Sequence, residues 1–170
     1  MKQKLLKMET KGFQYGLHLI KKLTSYLNSP DSLEIKKLDE EKISIRKSFK
    51  MSFNYANGIL TIKIIIDFLC RAENPEPLKL FGTTVQCDFK LLEFEEILKK
   101  NEKDLVNIPD DLLITLLSVS YSTARGILAA QTAGTDYSNF FLPLVNVSEF
   151  KTMLKTIGEE PKENNQDKSY

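Results

Sequence analysis

From Ile43 to Phe68 the chain alternates apolar and polar residues on both sides of an Asn-Gly pair. Ile43, Ile45, Phe49, Met51, Phe53 and Tyr55 interleave with Ser44, Arg46, Ser48, Lys50, Ser52 and Asn54, and only Lys47 breaks the apolar row. After Asn57-Gly58, residues Leu60, Ile62, Ile64, Ile66 and Phe68 interleave with Thr61, Lys63 and Asp67. A period of two puts alternate side chains on opposite faces of a strand, so each run predicts a strand with one buried and one wet face. Asn and Gly both tolerate positive φ, which tight hairpin turns require. A two-residue loop at 57–58 sets Tyr55 opposite Leu60, Phe53 opposite Ile62, Met51 opposite Ile64 and Phe49 opposite Ile66. Every such pair is apolar on apolar, and a one-residue slip would turn one greasy face into water.

The rest of the chain supplies a third strand and a long helix. Arg71 to Pro77 reads as a turn. Phe81, Val85, Cys87, Phe89 and Leu91 then alternate with Gly82, Thr84, Gln86, Asp88 and Lys90. Gly82 weakens the start of that strand and marks a candidate bulge. Phe94 to Leu98 suits a helical turn, and Lys99 to Asp104 a charged, solvated connection. Asn107-Ile108-Pro109-Asp110-Asp111 opens a helix. Proline fits a first turn, where its missing N–H is not needed, and the two acids face the positive end of the dipole. Leu112, Leu113, Leu116, Leu117, Tyr121, Ala124, Ile127 and Leu128 form its apolar face. Ser118, Ser122 and Gly126 recur every four residues, a stripe that admits another backbone at close range. Gly126 costs about 1 kcal/mol of helix stability against Ala, which a close contact would offset. Gly134 ends the element. Asn146-Val147-Ser148 offers a cap for a short amphipathic helix over 149–157.

Two segments are less decided. Phe13, Leu17, Ile20, Leu23 and Leu27 recur at helical spacing, yet Thr24 and Tyr26 suit a strand equally. Residues 1–11 read as a flexible, basic N-terminus (Lys2, Lys4, Lys7, Lys11), residues 12–157 as one domain and residues 158–170 as a disordered polar tail.

Composition excludes several classes. The formal net charge of +1 sets up no global field for nucleic acid or membrane. Cys70 and Cys87 lack metal-site spacing and read as reduced thiols, with a disulfide open if their strands pair. No signal-peptide core and no uncharged apolar stretch of membrane-spanning length is expected, which points to the cytoplasm. His18 stands without partners for catalysis or metal binding. Asp67 and Asp88 lie on the polar faces of their strands. They could serve as a carboxylate pair, although solvated surface acids are the simpler reading. Arg125 could grip a carboxylate bidentately or form a structural ion pair. Ser120-Tyr121-Ser122 lacks the glycines of a nucleophile elbow.

Several pieces together resemble the SecB family of bacterial export chaperones and its SecB-like relatives. They are Ser122-Thr123-Ala124-Arg125-Gly126 near the end of the helix, then Leu142-Pro143-Leu144-Val145-Asn146-Val147-Ser148-Glu149-Phe150. Asp88-Phe89-Lys90-Leu91 is similar to the family's last strand and Lys21-Lys22-Leu23-Thr24-Ser25-Tyr26 to its first. The likeness covers residues 16–157. It implies an α+β fold: a four-stranded antiparallel sheet with a long helix and a short C-terminal helix on one face. It also implies a dimer of dimers that holds unfolded clients in apolar grooves without ATP or any cofactor. It tips residues 17–28 toward strand. Gln131 to Ser138 is an insertion relative to the family. Exporting members carry acidic residues on the sheet that contact the translocase motor SecA. Lys22 and Gly82 stand at two such places here, which weakens motor docking.

The expected function is therefore a holdase for unfolded or precursor proteins, with a chaperone dedicated to one client, such as an antitoxin, as the alternative. Leu33, Ile35, Leu38, Phe94, Phe140 and Phe141 are the expected client-binding residues, because they place apolar surface in loops. Ser118, Ser122 and Gly126 are the expected oligomer contact. A rival from another class is a thioesterase-like enzyme, a sheet wrapped on a long helix. That chemistry wants a carboxylate from the helix interior, where this chain has none beyond Asp110 and Asp111. No catalytic or metal-binding residue is assigned.

Overall fold

The structure, a computed structural model, describes residues 8–10, 13–28, 42–71, 76–92, 94, 99–100, 106–146 and 149–150. Its elements are β1 (Met8–Thr10), β2 (Phe13–Leu27), β3 (Ile43–Asn54), β4 (Ile59–Cys70), β5 (Leu78–Leu91), β6 (Lys99–Lys100), β7 (Val106–Asn107) and α1 (Asp110–Thr132). Strands β1 to β5 make one antiparallel sheet in the order β1-β2-β5-β4-β3, with four long strands and the three-residue β1 at one edge. Strands β6 and β7 pair separately, where a plain loop was expected. The fold is α+β, with α1 packed on β5 and β4.

The hairpin forms with the expected faces, but its register differs by two residues. Phe53 pairs with Leu60, Met51 with Ile62 and Phe49 with Ile64. The loop is Tyr55–Gly58: Gly58 N–H donates to Tyr55 O at 3.4 Å, Asn57 N–H to Asn54 Oδ1 at 3.3 Å, and Gly58 has positive φ, at 58°. A four-residue turn with a left-handed glycine is an ordinary hairpin solution. Lys47 falls opposite Ile66 on the buried face. It escapes by reaching the Glu149 carboxylate at 4.0 Å, its stem covering apolar surface while the ammonium finds a partner.

Residues 13–27 are a strand. Register shifts mark His18 and Leu23 as bulged residues. Each bulge inserts one residue, so the face shared with the core runs Tyr15, Leu17, Ile20, Lys22, Ser25, Leu27 by pairing with Leu91, Phe89, Cys87, Val85, Thr83 and Phe81. Two inserted residues turn a period of two into apparent helical spacing.

In β5 the bulge falls at Leu80, not at Gly82. Gly82 has a different reason. A Cβ there would lie 2.5 Å from Ile66 O and 2.8 Å from the Tyr26 ring. Its bareness lets Tyr26 lie flat across the strand, and the Tyr26 hydroxyl donates to Asp67 Oδ1 at 2.8 Å.

The core lies between sheet and helix. Ile62, Ile66, Phe81, Val85 and Cys87 meet Leu116, Leu117 and Ala124, all essentially inaccessible. Helix α1 has the length and hydropathy of a membrane span, and in this fold its apolar stripe lies against the sheet. Pro109 is the N-cap rather than the first helical residue, with Asp110 and Asp111 in the first turn. Gly134, at φ 74°, follows the helix C-terminus. Glu149 and Phe150 are helical, and the Asn146 side chain accepts from Glu149 N–H at 3.0 Å. The rest of the expected C-terminal helix lies outside the described residues, as do residues 1–7 and 158–170.

Cys70 and Cys87 are free and buried. Their strands do pair, but Cys87 faces Ile62 and Cys70 faces Leu78. Eight residues along a strand is roughly 26 Å, far beyond disulfide reach.

Candidate functional site: an apolar groove beside the helix

The segment after α1 folds back along it. Tyr137 packs on Phe81 with tilted rings, centroids 4.6 Å apart, and its hydroxyl donates to Asn28 O, tying the turn to the end of β2. Gln131 Nε2 donates to Tyr26 O at 3.1 Å, anchoring the last helical turn to the same place. Phe140 then turns inward, 6.3 Å from both Phe81 and Tyr137. Neighbouring Phe141 points out and is 67% exposed, because consecutive side chains in an extended segment cannot share one burial site. Leu142 is buried, while Leu144 is 77% exposed. Further on, Tyr121 donates from its hydroxyl to Pro143 O at 2.9 Å and packs edge-on against Phe150 at 6.0 Å. Burial pushes the Tyr121 hydroxyl up to about 12.

Between helix and returning segment lies a groove of about 340 Å³. Ser122, Gly126, Leu128 and Ala129 form its helical wall, Phe140, Phe141 and Leu142 the other, with Arg125 among them. The structure thus joins residues that the sequence assigned to two separate roles: Phe140 and Phe141 to clients, Ser122 and Gly126 to an oligomer contact. Ser118 is half-buried and its hydroxyl donates back to Ile114 O at 2.7 Å. Around Gly126 nothing described would come within 4 Å of a Cβ at that position, so no packing within the described chain calls for that glycine.

Phe94 is elsewhere. It packs on Phe53 and Tyr55 at 5.8 and 5.2 Å, over the hairpin turn. Along β5 that end is roughly 33 Å from Phe81, so Phe94 does not extend the groove. Leu33, Ile35 and Leu38 lie outside the described residues. A second apolar surface, missed in the sequence, lies on β2: Ile20, Leu23 and Leu27 are 41–43% exposed. Ile20 and Leu27 share the helix side of the sheet with Cys87 and Phe81, but α1 covers β5 and β4 instead. The bulges hid this face by breaking its alternation.

The carboxylates of the outer sheet face are not solvated, nor are they a pair. Asp67 is 8% exposed and accepts from Tyr26 and from Arg46 Nε and Nη2 at 3.0 and 2.6 Å. Burial and the Asp67 carboxylate push the Tyr26 hydroxyl above its usual range. Asp88 is 9% exposed and accepts from Thr61 and Gln86 at 2.8 and 2.9 Å. Asp67 pairs with Gly82 and Asp88 with Thr61, six residues apart along the strands, or roughly 20 Å. His18 is exposed at its bulge. No cluster of three His, Cys, Asp or Glu side chains able to hold a metal occurs among the described residues.

No family model matches the chain, and no curated protein matches it. Among solved structures it is similar to a protein of unknown function from Streptococcus agalactiae, at 8% identity and a TM-score of 0.31, over 78% of this chain and 99% of that one.

Proposed function

We propose that this protein is an ATP-independent holdase of the SecB-like kind, which binds unfolded or precursor polypeptides on apolar surface left open by folding. One observation carries the reading: Phe141, 67% exposed, lines an apolar groove, and Leu144, further along the same returning segment, is 77% exposed. Scattered single apolar residues need no explanation, but a groove flanked by them does. A large ring and flexible aliphatic chains can repack around varied guests. Binding the non-native chain lowers its free concentration and so slows aggregation by mass action, with no cofactor or nucleotide.

The finer architecture belongs to the same proposal. A short helix from Glu149 would complete the SecB-like layer, and Leu33, Ile35 and Leu38 would extend the client surface. Ser118, Ser122 and Gly126 would carry contacts between subunits in a dimer of dimers in the cytoplasm, consistent with a glycine that nothing described packs against. Docking on the SecA motor finds less support. Register puts Lys22 on the Val85 side of the sheet and Gly82 on the Asp67 side, so the two positions do not form one patch. The outer face instead aligns Lys50, Lys63, Gln86 and Lys21 in one row across four strands, where an acidic surface was implied. That favours a chaperone serving a dedicated client, such as an antitoxin, over one delivering to the motor.

The test is light scattering of a chemically unfolded client diluted into buffer, without nucleotide. Stoichiometric protein should suppress aggregation, and Phe141→Asp should weaken suppression several-fold while leaving the circular dichroism spectrum intact. Aggregation unaffected by the native protein at tenfold excess would end the holdase reading.

A further inference from the structure

We infer that the groove selects apolar segments that also carry a carboxylate, with Arg125 as the anchor; this rests on the client-binding reading above and sharpens it. Arg125 is the one ionisable residue lining the groove. Its neighbours one turn away on the helix are Tyr121, Ser122, Leu128 and Ala129, none acidic, so no intrahelical pair is available to it. The ion pairs among the described residues are Arg46 with Asp67 and Lys47 with Glu149, and neither includes Arg125. Glu149 adjoins Phe150, whose ring packs on Tyr121 one helical turn from Arg125. Glu149 already answers Lys47, the only charge in the buried row of β3. The guanidinium therefore stands partly exposed in an apolar wall without a described counter-ion.

That arrangement makes the occupant's chemistry matter. A purely apolar segment lying in the groove would strip water from an unpaired guanidinium, which opposes binding. A segment bringing a carboxylate replaces that water with two parallel charge-assisted hydrogen bonds. Spacing narrows it further. Arg125 and Ala129 are one helical turn apart, about 6 Å along the axis. In an extended peptide, side chains on one face recur about every 6.8 Å. An apolar residue seated over Ala129 therefore places the side chain two positions away at Arg125. The favoured pattern is a bulky apolar residue and an Asp or Glu separated by one residue.

Fluorescence anisotropy of two labelled eleven-residue peptides tests this on the full chain. The peptides share one Leu-rich sequence and differ only in Glu or Gln two positions from the central Leu. The Glu peptide should bind roughly tenfold tighter, the scale of one partly solvated charge-assisted pair. Arg125→Gln should bring the two peptides to equal affinity, chiefly by weakening the Glu peptide, while Arg125→Lys keeps part of the preference. Equal affinity of the two peptides for the native protein overturns the inference and leaves the holdase reading standing. Equal loss of both peptides in Arg125→Gln also overturns it, assigning Arg125 to structure. No binding of either peptide, together with no suppression of aggregation, removes both.

Discussion

The two ends of the sheet are built from the same materials and finished differently. At the hairpin end, Phe53, Tyr55 and Phe94 pack edge to face around Gly58, with centroids 5.2 to 6.0 Å apart. A Cβ on Gly58 would lie 2.5 Å from the Phe94 ring, and Leu91 N–H donates to Gly58 O at 2.8 Å, tying the turn to β5. At the other end, Phe68, Phe81, Tyr137 and Phe140 also form a chain of rings, near Gly134. There no described atom lies within 4 Å of where a Cβ on Gly134 would sit, and the series ends on exposed Phe141. Aromatic content alone therefore does not mark a binding surface. What distinguishes the ends is whether each ring finds a partner inside the fold.

The largest consequence is in stability. Phe94→Ala should cost about 2–4 kcal/mol, shifted down from the roughly 3–5 kcal/mol of a truncated core ring because Phe94 is only half-buried. Phe141→Ala should stay within about 0.5 kcal/mol, as for other exposed positions. Urea unfolding of both variants reads the difference. Similar losses would mean that Phe141 is packed in the folded protein, and the contrast between the ends would disappear.

The glycines give a smaller and cleaner contrast, since both have positive φ, 58° and 74°. Gly134→Ala should cost about 1 kcal/mol, the left-handed penalty alone. Gly58→Ala carries that penalty plus displacement of Phe94, about 2–3 kcal/mol in all. If Phe94→Ala is already present, Gly58→Ala should fall back toward the Gly134 value, because the ring it displaces is gone. Additive losses in that double variant would show that Phe94 is not what confines Gly58.

How much of this was legible in the sequence depended on whether alternation survived intact. In β3 and β4 it did, so the elements and faces followed directly. The register did not, since a shift of two residues keeps every apolar pair apolar and only the turn decides it. In β2 the bulges at His18 and Leu23 changed the period itself, and the exposed row Ile20, Leu23, Leu27 looked like a helix stripe. Gly82 could be seen to need a reason, but the reason is Tyr26, 56 positions earlier in the chain and adjacent only through β2–β5 pairing. For the groove, Phe141 and Gly126 were each conspicuous. Their meeting depends on where the segment after the helix folds back, and no local pattern encodes that.

The smallest effect concerns how firmly the returning segment is held. Tyr121 buries its hydroxyl against Pro143 O, and its ionisation is pushed up to about 12 from the ordinary 10. The unfolded chain therefore gives up this proton first. Above about pH 10 the unfolded state binds fewer protons than the folded one, so stability falls as pH rises until Tyr121 itself titrates near 12. Between pH 9 and 10.5 its share of the loss should be less than about 1 kcal/mol. Tyr121→Phe should cost about 1 kcal/mol at pH 7 through the lost hydrogen bond, and should then lose less on going to pH 10.5 than the native protein does. Tyr26 and Tyr137, whose hydroxyls are also pushed up, remain in both proteins and cancel in the comparison. An identical alkaline loss with and without the Tyr121 hydroxyl would mean that water reaches it, that the segment around Pro143 lifts from the helix, and that the groove's second wall moves rather than waits.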